Sequence, residues 1–361
     1  MEKDHQLKSI TIEGFRSIKK QTVVLAPINV LIGANGSGKS NLVEAFRFLH
    51  RIILRELQSY VAKHGGADEL MYMGMKATEE ILFSLNFDPN YYKIQLKADV
   101  NSGLYIDLQY AGFRPSNARA PVSDKIASQG GKESLLDKAN GIGRYVYDAM
   151  YNWRHYHFHD TSATAKVKGI CQVADNIVLA ENADNLAAIL LKMRVEDKPH
   201  FDRILGIVQQ VLPYIGSFVL EPEGEQKEFI RFRWAQKGGE RVFGASALSD
   251  GSLRFLCLAV LLLQPKLPKL ILLDEPELGL HPAAIAMLAG LIRKASDRSQ
   301  ILLATQSPLL VSEFEPDDII VADRVGDESR FRRLEAHELD AWLDEYSLGE
   351  IWEKNIVGGQ P

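Results

Sequence analysis

INVLIGANGSGKSNLVEAF, residues 28–46, is an apolar pentad, a glycine-rich octad and then a stretch with helical spacing. The pentad predicts a buried strand, and Leu42, Ala45, Phe46 and Leu49 recur at the period of a helix that opens just after it. Between the two, Gly33, Gly38, Lys39 and Ser40 fill the four fixed positions of G-x-x-x-x-G-K-S. Strand, glycine loop and helix is the setting in which this spacing cradles phosphates. The glycines let backbone N–H groups turn inward, and the helix start adds partial positive charge. The expected contacts run from Gly33 through Asn35, Gly36, Ser37 and Gly38 to Asn41. Lys39 should reach the β- and γ-phosphates of a nucleotide, and the Ser40 hydroxyl should ligate Mg²⁺.

Far downstream, residues 270–273 (LILL) are followed by Asp274 and Glu275. A strand buried on both faces reads as such a run. Acids at its carboxyl end lie where open α/β sheets bind ligands. Asp274 is therefore expected to hold Mg²⁺, directly or through water, and Glu275 to polarise the attacking water. Before it, residues 248–252 (LSDGS) open an apolar helix over 253–264, so the amides near Ser249 and Gly251 lie at a positive helix end. A serine there also suits a plain N-cap. A further buried strand, 301–304, ends at Thr305-Gln306-Ser307-Pro308, with Ser307 an expected N-cap and Pro308 the first helical residue.

LSDGS, 25 residues ahead of Asp274, resembles the signature motif of ABC-type ATPases. In that family the motif faces the γ-phosphate held by the opposite protomer. The resemblance thus implies ATP as ligand, a homodimer closed through ATP, and Ser249 and Gly251 as contacts made in trans. Asp250 replaces the first glycine of the common L-S-G-G-Q form and Ser252 its glutamine, and the extra negative charge near a phosphate is unfavourable unless Asp250 points away. Many such heads carry a histidine where this chain has Gln306. Glutamine can bond a phosphate oxygen or water but cannot carry a proton, which implies slow or partner-stimulated hydrolysis.

Three more stretches narrow the resemblance. Residues 10–18 (ITIEGFRSI) are similar to the opening of RecF, SMC and OLD ATPases, and 275–282 (EPELGLHP) to a run of the RecF/OLD-like branch. Residues 346–355 (YSLGEIWEKN) resemble the end of small stand-alone ATPases of that branch, whose genes often sit beside one for a Toprim-like protein. By carry-over Arg16 touches a phosphate, with a surface arginine on an edge strand as the competing reading. The fold so implied is α/β: an ABC-type P-loop ATPase head with a β-rich first lobe and an inserted helical subdomain. Its expected parts are a first lobe over residues 1–110, a mostly helical insertion over 111–225, and a second lobe over 226–361 carrying the signature, the acid pair and the final strands and helix.

The resemblance implies an ATP- and Mg²⁺-dependent switch that governs DNA engagement or a separate effector, a Toprim-like nuclease, as in bacterial anti-phage defence. RecF-like DNA repair, a transporter's nucleotide-binding subunit and a module that mainly holds a partner are the alternatives. The F-R-S opening and the 210 residues between Lys39 and Ser249 disfavour the transporter. No Toprim acidic set or second catalytic domain is apparent after Pro308.

Composition fits this reading. The chain has 361 residues, 46% hydrophobic and 25% charged, enough for a large core. Its longest apolar run, 255–263, is too short for a bilayer, and its start lacks a signal peptide's apolar region, so a cytoplasmic protein without membrane contact is expected. Two cysteines, Cys171 and Cys257, imply no disulfide framework. A net charge of −5 excludes a generally basic nucleic-acid binder. DNA contact would need a local patch, with Arg51 and Arg55, Lys166 and Lys168, or Arg330, Arg332 and Arg333 as candidates.

Between the motifs, residues 81–88, 91–100 and 104–110 alternate as antiparallel strands do. Residues 111–143 read as loop with a short helix, 184–193 and 201–212 as helices, and 229–234 with 241–243 as a hairpin. The absence of heptads excludes long coiled-coil arms. Strands near 319–322 and 330–334 and an amphipathic helix near 339–346 should close the chain. In residues 153–160 (WRHYHFHD), a strand would put His155, His157 and His159 on one face. Alternate strand residues rarely converge on one tetrahedral ion, so a structural strand is favoured over zinc. His159 or Asp160 is a candidate sensor of Mg²⁺ or water.

Overall fold

A computed structural model describes residues 6–114 and 122–359. The chain divides into two compact units, Met1–Trp153 with Pro268–Leu272 and Gln300–Pro361, and Arg154–Leu267 with Leu273–Ser299.

In the first unit a six-stranded sheet has the order Ile18–Val24, Ser9–Phe15, Glu80–Asn86, Asn90–Ala98, Leu104–Phe113, Val122–Gly131, every neighbouring pair antiparallel. Its strands alternate as the sequence does, with Ile10, Ile12, Ile81, Phe83, Ile94 and Ile106 buried. The last strand lies where a loop was expected. Ser, Gly and Lys give Val122–Gly131 no apolar period, and pairing with Leu104–Phe113 supplies what pattern does not. The helix Lys39–Ile53 buries Leu42, Phe46, Leu49 and Ile53, and Phe48 stacks on Phe15 with ring centroids 5.5 Å apart.

A second sheet has the strand order Glu328–Arg333, Ile319–Val325, Ile28–Ile32, Gln300–Ala304, Leu270–Asp274, Trp153–Tyr156. Ile28–Ile32 is buried throughout and parallel to both neighbours. That explains its unbroken apolar run, since a central parallel strand has no solvated face. The helix expected near 339–346 shrinks to Asp340–Leu343, because Ser347 and Glu350 form a capping box that starts a new helix, Leu348–Glu353.

The second unit carries the helices Leu186–Glu196, Lys198–Val211, Asp250–Leu263 and Pro282–Ser296. Lys198–Val211 buries Ile204 and Val208 as its spacing implied, and Asp197 caps it. A hairpin does turn around 237–239, but its strands are Arg233–Gln236 and Val242–Gly244, and Phe229–Arg231, expected to belong to it, pairs instead with Ile170–Gln172. Asp250–Leu263 is buried at every position from Ser252 to Leu263. Burial there pushes the Cys257 thiol up to about 12, leaving it protonated and inert. Among the described residues no helix is long and apolar enough to cross a membrane.

Candidate nucleotide site

The loop after Ile32 is shaped by glycines in backbone regions that other residues rarely adopt. Gly33, Gly36 and Gly38 have φ of 148°, 79° and 106°. A Cβ at Gly38 would lie 2.0 Å from the Ser329 hydroxyl, and one at Gly33 2.3 Å from the Ala322 carbonyl. Gly38 is also the N-cap of Lys39–Ile53, and no side chain caps that helix. The start of that helix, with its partial positive charge, is a setting that favours an anion. The Lys39 ammonium is buried at the loop, donating to the carbonyls of Gly33 at 2.5 Å and Ala34 at 3.0 Å. Ser37 Oγ is buried there without a partner.

Sequence reasoning missed what braces this loop. Asn41 Nδ2 donates to Ser17 Oγ at 2.6 Å, and Ser17 Oγ is hydrogen-bonded to Ser329 Oγ at 2.7 Å. Asn41 is thus anchored within the protein, and the serine of the F-R-S turn is its anchor. Arg16, at φ 49°, hydrogen-bonds Leu70 O through its backbone and places its guanidinium 5.9 Å from the Phe15 ring centroid, with Nε buried and unpartnered. In the same unit Gln300–Ala304 runs parallel to Ile28–Ile32, and Thr305 N donates to Leu31 O at 3.1 Å. Gln306, exposed at that strand's carboxyl end, thus follows a residue hydrogen-bonded just ahead of the phosphate loop. Ser307 caps Pro308–Val311 as expected.

In the second unit Asp274 ends its strand, and His159 Nε2 hydrogen-bonds the Asp274 carbonyl at 2.7 Å. Both acids are half-buried, and Glu275 has φ 41°. Left-handed backbone at a non-glycine costs about 1–2 kcal/mol. Pro276 contributes to it by disfavouring the right-handed helical region for the residue before it. Asp160 Oδ1 accepts from Ser162 N at 3.1 Å, and bonds from Ser162 hold its carboxyl below the usual range. His155, His157 and His159 stack, with successive ring centroids 6.2 and 4.2 Å apart. Among the described residues no group of three or more His, Cys, Asp or Glu is arranged to hold a metal.

The signature stretch behaves as a built helix start. Ser249 Oγ accepts from Ser252 N at 3.2 Å and pairs with Ser252 Oγ at 2.8 Å, which in turn meets Tyr214 OH at 3.1 Å. Asp250 is 67% exposed at its side chain, with Lys168 Nζ 3.9 Å from its Oδ1. Gly251 lies against the turn that follows the acid pair: a Cβ there would be 2.2 Å from Gly279 O. Arg254, buried one turn on, donates from Nε to Phe158 O at 3.0 Å. Burial lowers its pKa from the usual guanidinium range.

The basic candidates for DNA are engaged within the protein. Arg51 pairs with Glu56, Arg55 with Asp137, Lys166 with Asp184, Arg330 with Glu328 and Arg332 with Glu338. Lys168 donates to Thr161 O and Arg333 to Asp317 O and Val24 O.

An α/β core with a glycine phosphate loop, an acid-ended strand and a capped signature helix defines an ABC-type P-loop ATPase head. The chain belongs to the family described as "AAA domain, putative AbiEii toxin, Type IV TA system", which matches residues 28–312. It is 22% identical over 350 residues to the Old nuclease of Escherichia phage P2, covering 85% of this chain and 57% of that protein. It is 37% identical over 83 residues to Structural maintenance of chromosomes protein 3 of Arabidopsis thaliana, covering 21% of this chain and 7% of that one. The chain thus spans little more than half of the first relative and a small part of the second.

Among solved structures, an SMC head bound to the C-winged helix domain of ScpA matches with a TM-score of 0.60 at 16% identity, over 92% of this chain and 99% of that one. An SMC head with an extended coiled coil, bound to the C-terminal domain of ScpA derived from Pyrococcus furiosus, matches with a TM-score of 0.57 at 15% identity, over 94% and 98%. These two likenesses are of fold alone; together with the family and the Old nuclease relative, they bear out the resemblance to OLD- and SMC-like ABC-type ATPase heads.

Proposed function

We propose that the chain binds ATP with Mg²⁺, hydrolyses it, and uses the cycle to close and reopen a head-to-head homodimer. The observation that carries this is the helix Lys39–Ile53, which begins at a positive-φ glycine with no side-chain cap while Lys39 is held at the loop. Amide donors and an ammonium around one loop suit a polyphosphate. In this reading Gly33, Asn35, Gly36, Ser37, Gly38 and Lys39 hold the phosphates, and Asn41 fixes the loop through Ser17. Ser40 and Asp274 serve Mg²⁺, which neutralises charge on the transferring phosphoryl group. Glu275 orients and deprotonates water, Gln306 contacts the γ-phosphate, and Ser249 and Gly251 approach it from the second copy. Arg16 is assigned to a phosphate through its unpartnered Nε.

The closed dimer passes its state to DNA or to a separate Toprim-like effector in bacterial anti-phage defence. The family and the likeness to the phage P2 Old nuclease support that context. Equilibrium binding and phosphate release test the reading. Lys39→Ala should lose ATP binding, whereas Glu275→Gln should keep it and slow turnover about 10²–10⁴-fold. Unchanged hydrolysis in Glu275→Gln would remove that residue from its role.

A further inference from the structure

The stretch resembling the end of stand-alone ATPases acquires a task in the structure. Its helix Leu348–Glu353 starts at the Ser347–Glu350 capping box and buries Leu348, Ile351 and Trp352. Gly349 N donates to Ser312 Oγ at 3.0 Å, and a Cβ on Gly349 would lie 2.2 Å from Pro308 O. Pro308 is two residues from Gln306. After the helix the chain reaches the other phosphate-facing element. Arg332 Nη2 holds Val357 O at 3.1 Å, and Gly359 N donates to Asp323 Oδ1 at 2.7 Å. Gly359 has φ 77°, and a Cβ on it would stand 2.9 Å from Val321 Cγ1 and 3.2 Å from Gly33 Cα.

Gly33 is therefore confined on one side by the Ala322 carbonyl and on another by Gly359. The Gly33 carbonyl is in turn the acceptor for Lys39 Nζ. Contacts run from Asp323 through Gly359 and Gly33 to the lysine that is to meet the phosphates. We propose that residues 347–359 form a strap that sets the phosphate loop and the Gln306 turn together, with Asp323 and Gly359 as positioning residues for ATP binding. The proposal rests on the ATP reading above. A docked strap that favours the phosphate-binding loop must itself be favoured by bound ATP, by the same factor.

The test measures binding of a fluorescent ATP analogue to wild type, Asp323→Ala, Asp323→Asn and Gly359→Ala, with hydrogen exchange at residues 356–359 with and without ATP. Asp323→Ala and Gly359→Ala should each weaken binding about fivefold or more. Asp323→Asn keeps an oxygen acceptor for the Gly359 amide, so it should bind like wild type. ATP should slow exchange at the Gly359 amide. Equal affinity in wild type, Asp323→Ala and Gly359→Ala overturns the strap while leaving the ATP reading intact. So does a loss in Asp323→Asn matching that in Asp323→Ala, or exchange indifferent to ATP. A wild-type chain that binds no ATP overturns both.

Discussion

Gly251 shows how much single positions carry here. Its Cα faces the carbonyl of Gly279 so closely that an added methyl would lie 2.2 Å from the oxygen, and the obstacle is backbone, which cannot swing aside. Gly251→Ala should cost about 1–3 kcal/mol through overpacking, seen as a lower thermal midpoint by circular dichroism. A wild-type midpoint would show that the helix start and the Gly279 turn can part without penalty. At this scale the sequence told only half. Gly33, Gly38, Lys39 and Ser40 were legible because the chemistry of a phosphate loop is local. The partners that hold it were not. Ser17 meets Ser329 across 312 positions, and no pattern in either segment announces the other. Gly251 was legible as part of a signature, yet the reason for a glycine there is visible only with Gly279 beside it.

Among the elements, the helix Asp250–Leu263 has a start with two duties. Ser249 caps it through Oγ, and an N-cap serine is worth about 0.5–2 kcal/mol against alanine. The proposed function asks the same residue to greet a γ-phosphate from a second copy. Ser249→Ala removes both, so it cannot separate them. Ser249→Asp keeps a good capping acceptor but sets a carboxylate toward an anion. It should hold the thermal midpoint near wild type while ATP turnover falls. Turnover equal to wild type in Ser249→Asp would leave the serine as a cap and nothing more. Elements with strong periods or unbroken apolar runs, such as Ile28–Ile32, were readable, because burial imposes its pattern directly. Val122–Gly131 was not, since an edge strand rich in small and polar residues draws its order from the neighbour it pairs with. The three histidines misled in a different way. The strand ends at Tyr156, and His157 and His159 stack where a continued strand would have spaced them.

For the whole molecule the question is what ATP would join. A symmetric pair of heads buries the same patch twice, so the same set of ATP contacts would be made once at each of two sites. Charge-assisted hydrogen bonds from Ser249 and the nearby amides to a γ-phosphate are worth about 1.5–3 kcal/mol each. Two or three per site give roughly 6–18 kcal/mol over two sites. That is comparable to the ~4–15 kcal/mol lost when two bodies associate. On the proposed reading this balance makes the dimer conditional: ATP in both sites would close it, while ADP, lacking the γ-phosphate, would leave too little. The net charge of −5 per chain adds mild repulsion that phosphate contacts must also overcome. Light scattering on Glu275→Gln at saturating ATP should therefore report twice the chain mass, and the same protein with ADP the single mass. Adding Ser249→Asp to Glu275→Gln should return the single mass with one ATP still bound per chain. A single mass for Glu275→Gln with ATP would mean that nucleotide does not draw two heads together, and the switch would have to act within one chain; a dimer that persists in the double variant would remove Ser249 from the contact.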